Sequence, residues 1–88
     1  MGTRIDGTTT QLKRMFLNCC ANSLQLCENL VDKFGVCDKC VIIEETENYK
    51  IIQLEYETEK LQYKFDYQMS VLLKQPKVTN ITFIGFCE

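Results

Sequence analysis

Leu61-Gln62-Tyr63-Lys64-Phe65-Asp66-Tyr67-Gln68-Met69-Ser70-Val71 is the stretch that decides the fold. Apolar and polar residues alternate along it without a break. A side-chain period of two marks a strand with one buried and one wet face. Tyr63, Phe65 and Tyr67, joined by Tyr56, make an aromatic row on the same face as Leu61, Met69 and Val71. That company assigns the row to core packing. A stacking platform for single-stranded nucleic acid would need basic neighbours, and the row has few.

Upstream, Tyr49 to Glu57 reads as another strand whose alternation slips. Tyr49 and Ile51 share one phase, and Ile52, Leu54 and Tyr56 the other, so a bulge is expected near Ile51 and Ile52. Glu57-Thr58-Glu59-Lys60 supplies the turn into Leu61. Cys40 to Glu45 is a shorter β-branched run, turned by Thr46-Glu47-Asn48. Downstream, Pro76 marks the loop before a last strand from Val78 to Phe86.

Before the strands the period changes to 3.6. Leu12, Met15, Phe16, Cys19, Cys20, Leu24, Cys27, Leu30, Val31 and Phe34 form one broad apolar stripe. Thr8 with Gln11 suits a capping box, and Gly35 suits a left-handed cap. These limits predict one helix from Thr8 to Phe34, ~40 Å long and matched to a strand of ~36 Å. Ala21-Asn22-Ser23 is the point where it would kink or divide. The expected fold is α+β and two-layered: one long N-terminal helix on a four-stranded antiparallel meander, α-β-β-β-β. Residues 1–7 read as a flexible lead and residues 8–88 as the single domain.

At 88 residues the chain has room for one domain with a thin core. An apolar fraction of 45% and a charged fraction of 25% are ordinary for a globular protein. The net charge of −2 argues against direct nucleic-acid binding, which needs a basic face. No apolar run is long enough to cross a membrane, and no secretory signal opens the chain. The expected compartment is cytoplasmic or nuclear, where thiols stay reduced.

Catalytic chemistry is hard to assemble. The chain has no histidine, and its four glycines are scattered rather than gathered in a phosphate loop. No catalytic residue and no cofactor are expected. Six cysteines are many for an intracellular chain. Cys37-Asp38-Lys39-Cys40 is half of a zinc site, and Cys27 and Cys87 would have to complete it. The preferred reading is no metal, with Cys19, Cys20 and Cys27 as small core residues on the helical stripe.

Two surfaces point to a protein partner. Glu44, Glu45, Glu47, Glu55, Glu57 and Glu59 crowd one stretch that holds a single base, Lys50. This suits a solvated hairpin or an acidic face that meets a basic partner. Small phage-encoded inhibitors that block a nucleic-acid enzyme or a defence protein are similar in size and charge. The last strand is apolar in both phases: Ile81 and Phe83 in one, Val78, Ile84 and Phe86 in the other. Leu72 and Leu73 are adjacent and cannot share a face. One helical layer covers one side of a sheet, so Leu72, Leu73, Ile84 and Phe86 are expected to form a contact patch.

A helix feeding a small antiparallel sheet that carries Lys60-Leu61-Gln62-Tyr63-Lys64-Phe65 is loosely similar to the RWD-like heads of kinetochore and monopolin-type proteins. The resemblance spans residues 24–71 and implies dimerisation and docking of short partner segments. Many such heads carry a C-terminal helix, for which this sequence has no counterpart. The sequence therefore leads to a non-enzymatic interaction module that forms a homodimer or a hetero-complex.

Overall fold

The computed structural model describes the backbone of residues 3–20 and 22–87, and the side chains of residues 8–20 and 22–85. Four strands form one antiparallel sheet in the order β1-β2-β3-β4. They are β1 Lys39–Glu45, β2 Tyr49–Glu55, β3 Lys60–Met69 and β4 Pro76–Cys87. The meander expected from the alternation is present, and each strand pairs with its neighbour in sequence.

The expected single helix is divided. Helix α1 spans Thr3–Phe16 and helix α2 spans Ser23–Glu28, the latter continued by a π-helical turn Asn29–Lys33. The break falls at the weak point read from Ala21-Asn22-Ser23. Its cause is local: Asn22 caps α2 by accepting the Gln25 N–H at 2.9 Å, and the Gln25 side chain accepts the Asn22 N–H at 2.9 Å. This reciprocal pair satisfies donors that a new helix start would leave bare. The box expected at Thr8 is absent, because α1 begins at Thr3 and Thr8 is a buried residue inside it. Residues 3–7, expected to be a flexible lead, belong to that helix. Gly35 has a φ of +63°, so the left-handed cap stands as expected.

Both helices lie on the same sheet face. α1 contacts β4 and reaches β3, where the Thr9 and Tyr63 hydroxyls approach to 3.3 Å. α2 and the π turn contact β1. Leu12, Phe16, Leu26 and Leu30 come down from the helices onto Ile52, Leu54, Leu61, Tyr63, Phe65, Val78 and Ile81. Phe16 meets Phe65 with ring centroids 5.8 Å apart, and Tyr63 meets Phe83 edge-on at 5.4 Å. The aromatic row is therefore core, as its spacing required.

The last strand corrects an expectation. Its two apolar phases are reconciled by two register shifts against β3. Thr79 is extra between Asp66 and Tyr67, and Ile84 is extra between Gln62 and Tyr63. Val78, Ile81 and Phe83 then pair with Tyr67, Phe65 and Tyr63, all on the core face. A bulge changes the alternation by one residue, so a sequence that looks two-faced folds one-faced. The bulge expected in β2 is absent: β2 runs in unbroken register with β3, so Tyr49 and Ile51 lie on the outer face, and the irregularity is in β1. Ile43 of β1 is the extra residue opposite Ile51 and Ile52.

Candidate functional site

The β3–β4 hairpin ends in an ordered apolar tip. Ser70 N–H donates to the Gln75 carbonyl at 2.9 Å, and Lys74 N–H donates to the Ser70 carbonyl at 2.8 Å. The Ser70 hydroxyl oxygen accepts the Leu73 N–H at 3.2 Å. Lys74 takes a φ of 55°, which closes this single helical turn. Ser70 is buried beneath it. The bonds hold the backbone while the aliphatic side chains point away from the domain. Val71 is 89% exposed, Leu72 93%, Met69 65% and Leu73 56%. Four exposed aliphatics within five residues form a patch, in contrast to the single surface apolars that any protein carries.

Leu72 and Leu73 of the expected patch belong to this tip. Ile84 does not join them. It is half-exposed at its bulge, level with Gln62 and Tyr63 and ~20 Å along the hairpin from Met69. The Phe86 side chain lies outside the described residues. Met69 and Val71, read from the sequence as core positions, are the residues missed. Their alternation continues past the last residue that α1 and the β1–β2 turn shelter, and period alone does not show where cover stops.

A notch of about 580 Å³ lies beside the tip, lined by Glu47, Asn48, Tyr67, Gln68, Met69 and Pro76. The Tyr67 ring that lines it also meets Lys50, whose ammonium stands 3.9 Å from the ring centroid and 3.7 Å from Glu45. Burial pushes the Tyr67 phenol up, and the Glu45 carboxylate adds to the rise.

The six acids do not make one face. Glu44, Glu45 and Glu47 sit at the β1–β2 turn, on the same end as the tip. Glu55, Glu57 and Glu59 sit at the β2–β3 turn, ~20 Å away at the opposite end of β2. Glu45 also binds the Ser23 hydroxyl, and Glu44 accepts from the Tyr49 hydroxyl, which raises the Tyr49 phenol. These contacts spend two of the carboxylates on local structure.

The cysteines divide likewise. Cys27 of α2 donates its thiol to the Cys40 carbonyl oxygen at 3.6 Å. Cys37 is buried nearby, its thiol pushed up to about 11 by desolvation and then by Asp38. The Cys40 thiol is also raised, chiefly by burial. Cys87 belongs to β4, the outer strand opposite β1, ~14 Å across the sheet. Strand order thus keeps it from the other three. Among the described residues no three His, Cys, Asp or Glu groups are placed to hold a metal ion. Cys19 is exposed and Cys20 and Cys27 are half-buried, in place of the core positions expected for them. Among the described residues no helix is long and apolar enough to cross a membrane.

Comparison with protein-family models, curated proteins and solved structures finds no match to this chain.

Proposed function

We propose that the chain is a non-enzymatic protein-interaction module that engages a protein partner through the β3–β4 hairpin tip. The observation that carries this reading is the near-complete exposure of Val71 and Leu72 on a backbone turn held by its own hydrogen bonds. Holding aliphatic side chains in water is unfavourable by ~25 cal/mol per Å² relative to burying them. A preformed turn loses little conformational freedom on docking, so more of that apolar transfer energy appears as affinity. The tip is a convex knob, which fits a concave apolar site.

The test is a photo-crosslinking residue placed at position 72, with position 82 as control. Thr82 is an exposed β4 residue away from the tip. The expected outcome is an irradiation-dependent protein adduct at position 72 and none at 82. No adduct at 72, or equal adducts at both sites, ends the reading. The acidic-inhibitor alternative has less support, because its carboxylates are parted between the two ends of the sheet.

A further inference from the structure

We infer that the partner received at the tip is a second copy of this chain, paired about a two-fold axis so that each hairpin knob fills its mate's notch. The inference rests on the tip being a binding surface, as proposed above, and adds the identity of the occupant. A two-fold interface requires one patch to carry both halves of the complementarity. This end of the molecule does so. The knob is Val71 and Leu72, and the notch beside it presents Tyr67, Met69 and Pro76 within about 580 Å³.

Charge is complementary in the same sense. Lys74 is exposed on the knob and Glu47 is exposed on the rim of the notch. Neither has an ion pair among the described residues. The other charged groups at this end are Lys50 and Glu45, which pair with each other, Asp66, paired with Lys64 at 3.6 Å, Glu44, held by Tyr49, and Lys77 at the base of the hairpin. Lys74 of one protomer against Glu47 of its partner, formed twice by symmetry, sets the register of the pair. Four exposed aliphatic side chains are far fewer than the roughly 20–30 residues a side of a standard interface, so the dimer is weak and concentration-dependent.

Charge exchange tests this. Light scattering on a sizing column should give a mass that rises from monomer towards dimer between low-micromolar and near-millimolar protein. Lys74→Glu alone and Glu47→Lys alone should each weaken association by about tenfold or more, because each sets like charges face to face twice. The double variant Lys74→Glu/Glu47→Lys should restore it, since the pair is rebuilt with reversed sign. Both positions of change are on the surface, and circular dichroism checks that all three variants keep the fold. A strict monomer at near-millimolar protein overturns the inference, as does a double variant weaker than either single one. A position-72 crosslink to a different polypeptide, with the chain itself monomeric, overturns self-association while leaving the tip a binding surface. Absence of any crosslink removes both.

Discussion

The Lys50 ammonium stands 3.9 Å from the centroid of the Tyr67 ring. Lys50 pairs with Phe65 across the β2–β3 ladder, so its stem lies on the core face of the sheet. Its side chain is only 13% exposed, and the cation is satisfied by the ring face and by Glu45. The pair seals the top of the core beneath the hairpin tip.

Lys50→Met keeps most of the stem and removes the charge. It should cost about 1 kcal/mol, within the range of a partly desolvated cation–π contact. Lys50→Ala removes the stem as well and should cost more, because the covered apolar surface is then opened. Urea unfolding at neutral pH checks both, and a larger loss for Met than for Ala would contradict this account.

Asn18 holds a φ of 68° while donating its N–H to the Val78 carbonyl at 2.7 Å. Val78 returns its own N–H to Cys19 at 2.9 Å. These bonds cover part of the free edge of β4, which would otherwise invite another strand. Asn18→Gly should leave the melting temperature nearly unchanged, because glycine adopts this conformation freely. Asn18→Val should cost ~1–2 kcal/mol, the penalty of a left-handed residue with a branched side chain. Equal stability of the two variants would show that the backbone relaxes elsewhere.

The bulge at Ile84 predicts an asymmetry between deletions. Removing Ile84 should give a regular ladder with Ile81 and Phe83 still on the core face, and a folded protein of modestly altered stability. Removing Thr82 should turn Phe83 outward and set Ile84 opposite Tyr63 in its place, so the Tyr63–Phe83 ring contact is lost and the stability cost exceeds that of the Ile84 deletion. Thermal melts and amide spectra of the two variants decide it. A folded Thr82 deletion beside an unfolded Ile84 deletion would reverse the assignment.

Cys37 makes the protein sensitive to alkali. Its folded thiol titrates near 11 against an ordinary value of 9.0. Above pH 9 the unfolded chain loses this proton while the folded chain keeps it, so stability is complete below pH 9 and declines as pH rises towards 11. Cys40 is shifted in the same direction and reinforces the decline. The urea midpoint should fall between pH 8.5 and 10.5, and Cys37→Val should reduce that fall. Thiol labelling at pH 8 should modify exposed Cys19 well before Cys37. A midpoint that rises with pH would contradict the buried thiol.

Several features were readable from residue order because they depend on near neighbours. The alternation from Leu61 to Tyr67 places successive side chains on opposite faces wherever the strand goes. Asn22-Ser23 starts a helix through a bond three residues long, and Gly35 ends one through its own backbone freedom. Tertiary structure decided the rest. The bulges at Thr79 and Ile84 exist because β4 must match β3, and the same residues would serve a strand buried on both faces. Strand order set Cys87 apart from Cys27, Cys37 and Cys40. Leu72 was legible as a surplus apolar residue. That Met69 and Val71 stand with it in water depends on where the helical layer stops, a boundary set by packing between segments distant in the chain.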